Sequence, residues 1–96
     1  MELHKLLESV CDEESFLTFV RALQADRELS VAAEASAPSS PYGPTALGWE
    51  NQTIESFLEA ACSWAEDSNF GATQGLSEAS PWKKFAVFLY CGKSYE

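Results

Sequence analysis

Between Trp49 and Trp64 the chain carries its strongest constraint on shape. Ile54, Phe57, Leu58, Ala61, Trp64 and Ala65 recur at intervals of three and four, which places them along one side of a helix. Asn51 or Thr53 stands ahead of that stripe as a helix cap, and the spacing predicts a helix over residues 52–67. Glu55, Glu59 and Glu66 fall on other faces, where carboxylates stay in water. The stretch specifies packing and carries no nucleophile, metal box or phosphate loop.

The rest of the chain reads in the same helical period. Leu3, Leu6, Leu7 and Val10 share one face and predict a short helix over 2–10. Asp12 reads as an N-cap, with Glu13 and Glu14 in the first turn, where the helix dipole favours negative charge. That second helix is expected over 12–28, burying Phe16, Phe19, Val20 and Leu23. Ser80 followed by Pro81 marks another start, giving a helix over 81–92 with Trp82, Phe85, Ala86 and Leu89 inward and Gly92 as its stop. Residues 30–50 and 68–80 are read as loops. The first is rich in Ala, Ser and Pro, although Val31 to Ala35 can extend the helix before it. Glu14-Ser15-Phe16-Leu17 returns as Glu55-Ser56-Phe57-Leu58, too short an echo to establish a repeat. With no alternating strand pattern, the expected fold is all-α. It is one domain over 1–96, a small bundle of three main helices plus a short N-terminal one, with the long Ala/Ser/Pro-rich loop between the first two main helices. Phe57, Trp64 and Phe85 are expected in its dry interior.

Charge narrows the partners. Fifteen acidic residues against six basic ones give a net charge of -9. Nucleic-acid binding needs clustered Lys and Arg, and anionic membranes repel such a chain, so neither is expected. A basic protein partner is steered toward it, while the plainer account is that acidity keeps a small protein soluble. Three widely spaced cysteines, Cys11, Cys62 and Cys91, form no Cys-x-x-Cys pair and sit beside apolar neighbours. They read as reduced, hydrophobe-like thiols in a cytoplasmic protein. The first residues are too short and acidic for a signal peptide, and no apolar run reaches the ~20 residues of a membrane span.

Catalytic, metal and cofactor sites are not indicated. His4 stands alone near a chain end. Glu55 and Glu59 are neighbours on a helix but lack the Glu-x-x-His partner of a di-metal bundle site. Asp12-Glu13-Glu14 lacks the alternation and central glycine of a calcium loop. Gly71 and Gly75 are not followed by Gly-Lys-Ser/Thr. Lys83 and Lys84 oppose the dipole at the start of their helix, which suggests that one pairs with an acid on another helix. Trp49 and Trp64 have two readings. They are core residues that pin the long loop to the bundle, or a partly exposed pair near Glu50, Tyr42 and Tyr95 serving as an interface hot spot.

The cassette Trp49-Glu50-Asn51-Gln52-Thr53-Ile54-Glu55-Ser56-Phe57-Leu58-Glu59-Ala60, with Trp64 after it, resembles a family of small uncharacterised bacterial domain proteins. Trp82-Lys83-Lys84-Phe85-Ala86 and the closing Tyr95-Glu96 match that family's other hallmark, and Ser15-Phe16-Leu17-x-Phe19-Val20-x-x-Leu23 is similar to its opening helix. The likeness runs from Glu14 to Glu96. It implies a bacterial, stand-alone, mostly helical domain and carries no activity or catalytic residue.

Three functions compete. The first is a non-catalytic, acidic protein-interaction module, with immunity or antitoxin function as its sharpest version. Its interaction face would comprise Trp49 as aromatic anchor with Glu50, Glu55, Glu59, Glu66 and Asp67. The second is a small-ligand binder using a pocket between helices and loop. The third is a self-associating structural domain, a homo-oligomer burying its aromatic surplus between copies.

Overall fold

In a computed structural model describing residues 2–36 and 47–95, the chain folds into α1 (Leu3–Glu8), α2 (Glu13–Ser36), α3 (Ile54–Asp67), a 3₁₀ turn (Ala72–Gln74) and α4 (Pro81–Ser94). No strand occurs among the described residues. This is the expected all-α arrangement of three main helices and a short first one. The Pro-rich segment with Pro38, Pro41, Tyr42 and Pro44 and the final Glu96 lie outside the described residues.

The helix starts follow from local chemistry. At α2 the Ser15 N–H donates to Asp12 Oδ1 at 2.8 Å, and the Asp12 N–H donates back to Ser15 Oγ at 3.1 Å. At α3 the Ser56 N–H donates to Thr53 Oγ1 at 3.1 Å and the Thr53 N–H to Ser56 Oγ at 3.2 Å. Both are capping boxes, with serine in the reciprocating position usually held by Glu or Gln. The tetrapeptide echo is therefore one N-terminal device used twice. Ser80 Oγ accepts from the Lys83 N–H at 3.2 Å, with Pro81 in the first turn of α4, as expected.

Two helix ends differ from expectation. α2 runs through Glu28 to Ser36 because Leu29 to Ser36 contains three alanines and no Gly or Pro. Residues 30–36 of the predicted loop thus belong to the helix. α4 passes straight through Gly92 to Ser94. Gly92 is buried, and a Cβ built on it would lie 2.8 Å from Phe57 Cε1, so this glycine permits close helix packing and does not stop the helix.

α4 is the central element. It packs against α3, α2 and α1, while α2 packs against α1 and has no comparable contact with α3. Phe57 beside Gly92 and Phe70 beside Phe88 set α3 antiparallel to α4. Phe16 against Trp82 and Asp26 against Lys93 set α2 parallel to it. Val10, Phe19, Leu23, Trp49 and Ala86 form the buried cluster, and Ala60, Ala61 and Trp64 line the inner side of α3. After α3, Phe70 takes a left-handed conformation (φ 51°), rare for a bulky residue. Its ring is held between Phe88, stacked at 5.7 Å, and Trp64, edge-on at 5.7 Å.

The apolar stripes are wider than the neighbouring helices can cover. Trp64 is buried and Phe57 half-buried, but Phe85 is 52% exposed, contrary to expectation. Trp82, Leu58 and Ile54 are also exposed, Ile54 at 78%. For Ile54 and Leu58 the cause is the separation of α2 from α3, which leaves that flank of α3 uncovered. Cys11 and Cys62 are exposed rather than hydrophobe-like, Cys62 because it shares the outward row of Glu55, Glu59 and Glu66. Among the described residues neither Lys83 nor Lys84 forms an ion pair; Lys83 Nζ instead donates to the Glu8 carbonyl at 3.1 Å, satisfying an orphan acceptor at the end of α1.

Candidate functional site

The Trp49–Thr53 segment joins two helix ends. The Glu50 and Asn51 N–H groups both donate to the Lys93 carbonyl, at 3.1 and 3.2 Å. Asn51 Nδ2 donates to the Gly92 and Tyr95 carbonyls at 3.1 and 3.0 Å, using both amide hydrogens on acceptors near the end of α4. Two residues later Thr53 caps α3. One short run thus closes α4 and opens α3.

Trp49 locks the run in place. It is 4% exposed, its Nε1 donates to Asp26 Oδ2 at 2.8 Å, and the same oxygen accepts from Lys93 Nζ at 2.8 Å. The Arg27 and Lys93 cations lie 5.3 and 5.7 Å from the ring centroid, and Phe57 stacks on it at 6.1 Å. Arg27 Nη2 also donates to the Gln52 carbonyl at 3.1 Å. The indole therefore bridges α2, α3 and α4 where α2 and α3 do not meet. Of its two readings the core one holds, and Trp49 does not serve as an exposed anchor.

The other expected face residues separate into three places. Glu55, Glu59 and Glu66 are exposed on one row of α3, spanning ~16 Å at 1.5 Å per residue. Glu50 is exposed beyond the end of α4, beside an open cavity of about 310 Å³ shared with Tyr90, Cys91, Ser94 and Tyr95. Burial pushes the Cys91 thiol up to about 11. Asp67 sits on a different row and accepts a 2.6 Å hydrogen bond from the Tyr95 hydroxyl, which raises the Tyr95 pKa above its ordinary value. The structure thus brings three of the six together as an acidic ridge.

Sequence reasoning missed the shoulder beside that ridge. Ile54 and Leu58, with Trp49, Phe57, Thr53 and Arg27, line a cavity of about 360 Å³ whose walls are almost wholly apolar. The signal was the width of the α3 stripe, too broad for a single packed neighbour. No cluster of three His, Cys, Asp or Glu able to hold a metal ion occurs among the described residues. No described helix is long and apolar enough to cross a membrane.

No curated protein and no solved structure matches the chain. A model described as a family of unknown function (DUF7660) matches residues 12–96, which takes in α2, α3 and α4 with the clamp that joins them and leaves out α1. The chain belongs to this family of unknown function, DUF7660.

Proposed function

We propose that this domain is a non-catalytic interaction module that binds a basic protein partner through the outward face of α3. One arrangement supports the reading most. Glu55, Glu59 and Glu66 stand exposed in a single row, and none of them enters an ion pair among the described residues. With a net charge of -9 behind it, such a row attracts and orients a cationic surface. The sharpest form of this role is an immunity or antitoxin protein of the bacterial cytoplasm, masking the basic surface of its target.

The test compares affinity capture from host extract by the native chain and by Glu59→Lys/Glu66→Lys. Glu55 is spared because its charge supports the N-terminus of α3. The native chain is expected to recover a basic protein at low salt, less of it at moderate salt, and the charge-reversed chain none. Equal recovery by both baits, or no partner at either salt, refutes the proposal. Unchanged circular dichroism of the variant confirms that folding is not the cause.

A further inference from the structure

We propose that the cavity between Trp49, Phe57, Ile54 and Leu58 seats one apolar side chain of a short basic segment of the partner, whose Lys or Arg residues lie along Glu55 and Glu59. This rests on the interaction-module reading and adds the contact that would give it specificity.

Packed residues hold the deep side of the cavity. Its floor is the Trp49–Phe57 ring pair, 6.1 Å between centroids, and Trp49 is held through Asp26 and Lys93. Its volume of about 360 Å³ is ample for one aliphatic side chain. Ile54 at 78% and Leu58 at 49% exposure wall it on the solvent side, and two adjacent uncovered aliphatics are the kind of patch that a partner buries.

Charge identifies the occupant. Glu55 follows Ile54 and Glu59 follows Leu58, so each carboxylate stands one row around the helix from an apolar wall residue. Across the cavity Arg27 turns its guanidinium onto the Trp49 ring and the Gln52 carbonyl. The surface is thus acidic on its α3 side and cationic on its α2 side. A segment lying across it places its basic groups over α3 and its apolar anchor beneath them. A second copy of this chain would bring a further -9 against the same ridge, which like-charge repulsion opposes.

The probes are three synthetic amphipathic peptides on one template: a leucine anchor flanked by lysines, the same anchor flanked by glutamates, and the lysine version with serine as anchor. Binding to the full chain is followed by NMR through the Ile54 and Leu58 methyls and the Trp49 indole N–H. The lysine-flanked leucine peptide is expected to shift these signals and to bind about tenfold or more tightly than either control. Burial of one aliphatic side chain is sufficient for that factor. Leu58→Ser is expected to remove the same factor.

Lysine peptides that bind equally with leucine or serine, shifting only the glutamate row, overturn the cavity proposal and leave the interaction-module reading standing. Absence of any shift at Ile54, Leu58 and Trp49 overturns it as well. So does equal binding of the glutamate peptide, which would mark a general apolar-ligand site. Shifts of Ile54 and Leu58 that grow with protein concentration alone would make a second copy the occupant and refute the assignment. If host capture fails while the peptides behave as expected, the broader reading falls and the cavity's chemistry stands.

Discussion

Replacing Gly92 with alanine should destabilise the domain, against the usual rule for a glycine inside a helix. That substitution ordinarily gains about 1 kcal/mol of helix propensity. Here the new methyl would meet Phe57 Cε1 at 2.8 Å and Cδ1 and Cζ at 3.0 Å, whereas carbon atoms rest comfortably at about 3.5–4.0 Å. Phe57 is half-buried and stacked on Trp49, which is itself held by Asp26, so the ring cannot swing clear without disturbing the clamp. Overpacking of this kind costs about 1–3 kcal/mol, leaving a net loss of about 1 kcal/mol. Urea unfolding followed by circular dichroism measures it, with thermal midpoints expected to fall by about 4–8 °C. The decisive comparison is Phe57→Ala. With the ring gone, Gly92→Ala should turn stabilising by about 1 kcal/mol, and the double-mutant cycle reports the contact. A Gly92→Ala variant more stable than the native chain with Phe57 present would refute the close approach of α3 to α4.

Other expectations follow from single contacts. Asn51→Asp replaces a two-hydrogen donor with an acceptor facing the Gly92 and Tyr95 carbonyls, and should cost about 1–3 kcal/mol in urea unfolding. Trp49→Phe keeps the apolar body but removes the donor to Asp26, with an expected loss of about 1.5–3 kcal/mol; an unchanged midpoint would mean the indole contact contributes nothing. Cys91 is raised from 9.0 to about 11 by burial and Tyr95 is raised by its hydrogen bond to Asp67, so each holds its proton more tightly in the fold. Their stabilisation is fully present below the unfolded pKa values and is lost as pH rises through the folded ones. Stability should therefore fall as pH rises from about 9 to beyond 11, and Cys91→Ala with Tyr95→Phe should flatten that limb. Ser15→Ala removes the reciprocal partner of Asp12 and should destabilise by about 1 kcal/mol, read from the same unfolding curves.

What the sequence made legible was local. Asp12, Thr53 and Ser80 announced their helices because a cap and its recipient amide stand three residues apart. The row of Glu55, Glu59 and Glu66 was legible for the same reason, as periodicity along one helix. The function of Asn51 was not, since its acceptors are Gly92 and Tyr95, far along the chain. Gly92 read as a stop because glycine ends helices in isolation; only the arrival of Phe57 from α3 explains it within one. Phe85, Ile54 and Leu58 carry the period of core residues, and periodicity does not say whether a neighbour arrives to cover them. Charge alone groups Glu50 and Asp67 with the ridge, although Glu50 belongs to the clamp segment and Asp67 to the Tyr95 side of α3.

Trp49 to Thr53 is architecture, a clamp that ties the end of α4 to the start of α3 and fixes the exposed row of α3 in place. Amide hydrogen exchange on the native chain tests it most directly, read at the Glu50 and Asn51 N–H groups and the Trp49 indole N–H. All three should exchange only through global opening, as slowly as the amides of the buried helix interior. Exchange at the rate of a solvent-exposed loop, in a chain otherwise folded, would contradict it.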